Sequence, residues 1–325
     1  MMRAAHVTAH GRPPSVVDAA EPRARDGELL VAVTAVAITP LDLLCASGTS
    51  YFGPPALPYV PGVQGVGVVR EGPSERLGRR VWFPSSAGMA PGDGGMAQLA
   101  VARADEAVTI EADVPDTVVA ALGLSAVAAW EVLEGRAGLA PGESVLVLGA
   151  GGVVGQVAVQ AAQLLGASRV VAAARSERAR DAAAAAGADA VVPLDDAAVQ
   201  VLAARMLESA GGPVDVVVDP LAGVPGTAAV SVLAERGRLV NLGSSAGPAV
   251  SVDSATLRSR SASVLGYTNN ALTDERRAEV FRTVLGHAAA GRLEVRHEVH
   301  PLDEVAAAWA SVADGTASGR VVLVP

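Results

Sequence analysis

At 325 residues the chain is longer than one ordinary hydrophobic core can use, so two domains are expected, and with 50% hydrophobic residues both cores can be filled. A net charge of −9 with scattered basic residues argues against nucleic acid as a partner, and a single cysteine, Cys45, excludes an internal disulfide. No apolar run is expected to span a membrane and MMRAAHVTAHGRPP lacks a signal-peptide core, which points to the cytosol.

Residues 1–115 read mostly as strands. Met2–Ala9 alternates, Glu28–Ala37 is apolar and rich in β-branched residues, and Gly65–Arg70, Arg79–Phe83 and Ala97–Val101 follow between proline and glycine punctuation. Short strands at this spacing predict a partly open β-barrel-like domain with long loops at Ser47–Pro61 and Pro84–Gly95. Such loops are where a pocket is lined.

From Pro115 the texture changes. Val118–Glu134 is an alanine-rich helix, and Val145–Leu148 is a wholly apolar run of the kind that is buried on both faces of a parallel sheet. Gly149, Gly151, Gly152 and Gly155 follow at once, then a helix over Gln156–Gly166 and a second strand, Arg169–Ala174. Strand, glycine turn, helix and strand form the unit that grips a dinucleotide, because small residues admit the pyrophosphate and a helix N-terminus offers it free N–H groups. The frame G-x-G-x-x-G from Gly149 fails at Val154. The frame starting at Ala150 holds, and makes Ala150, Gly151, Gly152, Val153, Val154 and Gly155 the phosphate-binding turn.

At the end of the second strand, an acid would bond the ribose 2′-hydroxyl of NAD. Here Ala174, Arg175 and Ser176 stand in its place. A guanidinium and a hydroxyl suit a 2′-phosphate, so NADPH is expected over NADH. The competing reading makes Arg175 a solvated arginine and Ser176 merely a helix cap.

Further strands at Ala190–Val192, Val214–Val218, Leu239–Leu242 and Ser263–Gly266, with a helix at Ala197–Ser209, complete a doubly wound α/β sheet. Ligands collect at the carboxyl ends of such strands, where Asp219, Asn241, Gly243, Ser244 and Tyr267 stand. The tail is helical over Asp274–Ala290 and Leu302–Ala313 and extended over Glu294–Val299 and Gly319–Val324, and it is assigned back to the first domain. The expected division is 1–115 with 271–325, and 116–270.

PYVPGVQGVGVV, AGLAPGESVLVLGAGGVVGQVAVQAAQLLGA, DVVVDPLAG, ERGRLVNLGSSAG and SGRVVLVP, in this order, resemble the medium-chain dehydrogenase/reductase superfamily over essentially the whole chain. The chain is most similar to the zinc-independent quinone oxidoreductase (zeta-crystallin-like) branch, which includes polyketide enoyl reductases. The resemblance implies a Rossmann domain beside a GroES-like domain. It also implies NADPH as cofactor and hydride delivery to a small molecule, either a quinone or an α,β-unsaturated carbonyl. The alternatives are an enoyl thioester reductase of a biosynthetic pathway and a non-catalytic NADPH-binding relative.

Alignment with the superfamily's zinc enzymes puts Thr39 at the ligand cysteine, Val63 at the ligand histidine and Gln64 at the neighbouring glutamate; Leu41 and Leu44 replace proton-relay groups. A catalytic zinc needs three protein ligands, so a metal-free site is implied. Cys45 reads as a small buried hydrophobe, and His297 and His300, three apart on a strand, face opposite ways.

The branch's asparagine near the nicotinamide is replaced by Thr39, its helix threonine by Ala128, and its 2′-phosphate lysine and tyrosine by Ala179 and Leu194, leaving Arg175 with Arg178 or Arg180 to supply charge. Thr39, Asp42, Tyr51, Gln64, Asn241 and Tyr267 are the candidate positioning groups. Tyr51 and Tyr267 are open to a donor role or to simple packing, and Asp42 to acid chemistry or to fixing a loop. The sixth strand, Ser261–Tyr267, is expected at a sheet edge, and by resemblance to pair across a homodimer.

Overall fold

Ser144–Leu148 forms a strand whose last four residues are buried, as its unbroken apolar character requires. In the computed structural model, which describes all 325 residues, it lies third in a six-stranded parallel sheet. The spatial order is Ala190–Pro193, Arg169–Ala174, Ser144–Leu148, Val214–Asp219, Leu233–Asn241 and Ser263–Gly266. Counted along the chain this is 3-2-1-4-5-6, so the winding direction reverses between Ser144–Leu148 and Val214–Asp219. That reversal opens a crevice at the carboxyl ends of the two strands. Ser263–Gly266 is at the edge, as expected, with Val264 40% exposed.

The other sheet is mixed and seven-stranded. His297–Pro301, Arg320–Val324, Glu28–Ala37, Gln64–Glu71, Arg80–Pro84 and Val108–Thr109 run in that order, and Leu99–Arg103 also pairs with Glu28–Ala37. A separate hairpin joins Met2–His6 to Ser15–Ala19. Val31, Val36, Ile38, Phe83, Met96, Val321 and Leu323 belong to its core. The C-terminal strand enters this sheet antiparallel to Glu28–Ala37, with Val322 opposite Ala37 and Leu323 opposite Val36.

Contacts divide the chain into Met1–Leu124 with Val295–Pro325, and Ser125–Glu294. The tail therefore returns to the first unit later than the expected 270/271 border. Helix Asp274–Ala289 stays with the parallel-sheet unit for a physical reason: Val280, Phe281, Val284 and Leu285 are buried, Arg276 pairs with Glu131 and Glu134, and His287 lies against Trp130 with ring centroids 5.0 Å apart.

The sequence also hid the helix Pro40–Ser47 and the strand Ser15–Ala19. The helix read over Val118–Glu134 extends from Asp116 to Ala137, a stretch long and apolar enough by composition to cross a membrane, contrary to expectation. Its apolar window is 72% buried inside the molecule, and a kink at Gly123 interrupts it.

Candidate functional site

The glycine turn of the second unit is built by close approaches. Gly149 is left-handed at φ 62°, whereas Ala150 has no positive φ and is wholly buried, its N–H donating to Ala173 at 3.1 Å. This is why alanine is accepted at 150 and glycine is required one residue earlier. A Cβ on Gly155 would lie 2.4 Å from Ala150 Cα, so only glycine lets the helix Val153–Leu164 come this close to the turn. Gly151 is held by a different neighbour: its Cβ would stand 2.3 Å from that of Ala179, on the next helix.

Gly152 is the N-cap of the helix, exposed and without a side-chain cap, and a Cβ there would meet nothing nearer than the Gly149 carbonyl at 3.5 Å. Open space in front of uncapped helix N–H groups fits a pyrophosphate. Gln156, buried on the first helical turn, braces the loop by donating to the Gly151 carbonyl at 2.8 Å. The sequence signal for it was a polar residue inside an apolar helical stripe.

Ala174 is buried at the end of its strand, and Arg175 and Ser176 are exposed beyond it. Ser176 caps the helix Glu177–Ala185, accepting from the Ala179 N–H at 3.2 Å, which leaves its own O–H to donate. Arg180 donates to the Arg175 carbonyl at 2.7 Å, and no hydrogen bond holds the Arg175 guanidinium. Leu194 is buried, so it offers nothing to a phosphate.

At the neighbouring strand ends, Asp219 corrects the expectation of a cofactor contact. It is fully buried; its Oδ1 accepts from Leu221 and Ala222 N–H at 3.0 and 2.8 Å and its Oδ2 from Asn241 Nδ2 at 2.9 Å. It holds Ala222 in a left-handed conformation, φ 54°, and so shapes the crevice from behind. The Asn241 amide also donates to the Gly243 carbonyl at 2.8 Å, and the Tyr267 N–H donates to the Asn241 carbonyl at 2.9 Å. Asp219, Asn241, Gly243 and Tyr267 thus form one connected bracket, with Ser244 exposed beside it. The Tyr267 hydroxyl donates to Asn269 Oδ1 at 2.7 Å, and burial, reinforced by Glu131, pushes its pKa well above the ordinary tyrosine value.

In the first unit, Thr39 and Asp42 form a reciprocal cap on the helix Pro40–Ser47. Both are buried. Asp42 accepts from the Thr39 N–H at 2.8 Å and the Thr39 hydroxyl at 2.6 Å, and its other oxygen accepts from Gly62 and Val63 N–H at 3.0 and 2.9 Å. Burial pushes the carboxyl up from its ordinary value while these four donors oppose it. All four partners are donors from the loop and helix it joins, so Asp42 fixes a loop, and the acid reading is set aside. The Thr39 hydroxyl has placed its hydrogen on Asp42 and accepts from the Asp42 N–H at 3.2 Å, so toward a ligand it is an acceptor alone.

Gln64, next to Val63, is 1% exposed. Its Oε1 accepts from Trp82 Nε1 at 3.0 Å and the Leu124 N–H at 2.7 Å, and its Nε2 donates to the Ala120 carbonyl at 3.2 Å. Its role is structural. Tyr51 stands apart, 79% exposed with its ring on Phe52, and forms no hydrogen bond with Thr39, Asp42 or Gln64. Cys45 is buried, as expected, and burial with the nearby Asp42 charge pushes its thiol up to about 11. His297 and His300 are not a pair: His300 binds Glu298 and Glu304. A cleft of about 430 Å³ in this unit, bordered by His6, Arg23, Glu28 and Asp93, includes none of the candidate residues.

Residues 153–286 match the zinc-binding dehydrogenase family, and residues 25–112 match the alcohol dehydrogenase GroES-like domain. Among curated proteins, the chain is 29% identical to a quinone oxidoreductase of Lama guanicoe over 335 residues, covering all of this chain and 98% of the relative. A 225-residue stretch, 68% of the chain, is 33% identical to a phenolphthiocerol/phthiocerol polyketide synthase subunit of Mycobacterium tuberculosis, covering 10% of that protein. Among solved structures, a mycobacterial protein crystallised with NADPH superimposes with TM-score 0.88 at 27% identity, each chain covered completely.

The zinc of the family's name does not fit these residues. Thr39 Oγ1 is committed to Asp42, Val63 has no donor atom, the Gln64 amide is committed to Trp82, Leu124 and Ala120, and no group of three His, Cys, Asp or Glu side chains could hold a metal ion. The two domain matches, the 3-2-1-4-5-6 parallel sheet with its glycine turn, and the full-length likeness to quinone oxidoreductases together make this chain a member of the medium-chain dehydrogenase/reductase superfamily, in its quinone oxidoreductase branch.

Proposed function

We propose that this chain is an NADPH-dependent oxidoreductase that reduces a quinone or an α,β-unsaturated carbonyl without a metal. NADPH supplies the hydride when bound. Gly152 leaves the helix N-terminus open to its pyrophosphate while Gly151 and Gly155 let the neighbouring helices pack closely on the turn, Asn241, Gly243, Ser244 and Tyr267 border the crevice, and Arg175 with Ser176 receives the 2′-phosphate.

The observation that carries the substrate reading is the commitment of the polar side chains. The hydroxyls of Thr39 and Tyr267 donate within the fold, Asp42 is met by donors alone, and the Gln64 amide is bonded to Trp82, Leu124 and Ala120. Such groups position but do not protonate. A quinone or an enone suits them, because the charge that a hydride brings is spread over a conjugated system and water supplies the proton. A simple ketone would place that charge on one oxygen, with neither acid nor metal to meet it.

The test is NADPH oxidation, followed by absorbance, with a quinone, an enone, an enoyl thioester and a simple ketone. Turnover of the quinone or enone without the ketone is expected. Ketone or alcohol turnover that depends on added zinc would refute the reading. A second reading, an enoyl thioester reductase in a biosynthetic pathway, draws on the similarity to the polyketide synthase stretch, and preference for the thioester would select it.

A further inference from the structure

The terminal strand RVVLV opens on a cation among apolar residues, and Arg320 is 7% exposed. A guanidinium is kept inside a protein where hydrogen bonds and an opposite charge compensate for lost water. Arg320 Nη1 donates to the Ile38 carbonyl at 2.9 Å, and the Ile38 N–H donates to the Val321 carbonyl at 3.0 Å. The residue before Thr39 is thus gripped from the C-terminal strand.

Asp42 grips the next residue, taking both the N–H and the hydroxyl of Thr39. Burial lowers the Arg320 pKa to about 10, and the Asp42 charge opposes that fall. Cys45 and Tyr59 also lie near Asp42, and burial raises both above their ordinary values.

We propose that Arg320 and Asp42 clamp the Ile38–Thr39 corner, one through the Ile38 carbonyl and the other through the Thr39 N–H and hydroxyl, which makes Arg320 a positioning residue for the reduction. The clamp sets the direction from which Thr39 Oγ1 accepts a hydrogen from a ligand hydroxyl or amide. The activity arm of the test rests on the function proposed above; the exchange arm does not.

Full-length wild type, Arg320→Met, Arg320→Lys and Asp42→Asn are compared in two measurements. The first is the pH profile of kcat/KM for NADPH oxidation with 1,4-benzoquinone. Without the guanidinium, the Ile38 carbonyl loses this donor and the corner is held by Asp42 alone. Arg320→Met is therefore expected to lose on the order of tenfold to a hundredfold at every pH. Arg320→Lys recovers most of it, Asp42→Asn is low at every pH, and NADPH affinity stays unchanged.

The second measurement is amide hydrogen exchange over residues 38–46, expected to quicken about tenfold or more in Arg320→Met and return toward wild type in Arg320→Lys. A folded Arg320→Met with wild-type kcat/KM at every pH, or with unchanged exchange, overturns the clamp. Should Arg320→Met not fold, Asp42→Asn decides, and wild-type kcat/KM and exchange there overturn it. A wild type inactive with quinone removes the functional reading and leaves the exchange arm to judge the clamp.

Discussion

The side-chain amide of Gln64 occupies the place of a helix hydrogen bond that Gly123 breaks. In a regular helix the Leu124 N–H would donate to the Ala120 carbonyl. Here Gln64 Oε1 takes the first and Nε2 serves the second, while Gly123 turns to φ 35°, ψ −137° beside them. A Cβ on Gly123 would lie 2.0 Å from Gln64 Oε1. The two residues are complementary, one opening a gap that the other fills.

Gln64→Ala leaves Trp82 Nε1, the Leu124 N–H and the Ala120 carbonyl buried without this partner. Each lost partner costs about 1–3 kcal/mol, so the three together set a loss of at least about 3 kcal/mol, expected in urea denaturation. Gly123→Ala should be at least as damaging. A loss below about 1 kcal/mol for both would contradict the wedge.

Arg175→Ala should remove much of the preference for NADPH over NADH. A charge-assisted hydrogen bond contributes about 1.5–3 kcal/mol, so the affinity ratio should narrow roughly tenfold to a hundredfold in fluorescence titrations. Equal affinity of the wild type for both cofactors would exclude a 2′-phosphate site at Ala174–Ser176.

Purified protein should carry no stoichiometric zinc in elemental analysis, and a chelator should leave its activity intact. The committed oxygen of Thr39 and the absent donor at Val63 are the reasons. One zinc per chain would overturn this reading.

A homodimer is proposed through the edge strand Ser263–Gly266, whose outer backbone groups and exposed Val264 invite a second copy. Light scattering at micromolar concentration should report twice the chain mass, and Val264→Lys should shift it toward the monomer. A wild-type monomer would dismiss the proposal.

Arg238 grips Glu143 bidentately, with both N–O distances 2.6 Å, and holds its carboxyl below the usual glutamate range. A depressed folded-state pKa gives stability that is present above the ordinary value, 4.5, and lost as pH falls through the lower folded value. Glu143→Gln should therefore cost about 1 kcal/mol near neutrality, the low end because the carboxylate is 25% exposed, and almost nothing in acid. A cost independent of pH would show that packing, not charge, is at work.

The nucleotide half of the molecule was legible because its rules are local. An apolar strand, a glycine frame beginning at Ala150 and a helix cap at Ser176 are read within a few residues of each other, and the strand order follows from alternation with helices. Asp219, Asp42 and Gln64 were legible as polar residues in telling places but not in their roles. Whether a carboxylate meets a ligand or a backbone N–H depends on partners such as Gly62, or in the case of Gln64 on Ala120, which is 56 residues away. Arg320 reaches Ile38 across 282 residues, and no periodicity records that. The second domain border was missed for the same reason, since what keeps Asp274–Ala289 with the parallel sheet is its contact with Trp130 and Glu131.

The strand Arg320–Val324, inserted between His297–Pro301 and Glu28–Ala37, imposes an order on biosynthesis. Residues 125–294 are one uninterrupted stretch, free to close as soon as they leave the ribosome. The unit built on Glu28–Ala37 must wait, with Val36 and Ala37 unpaired on that side, until Arg320–Val324 has been made.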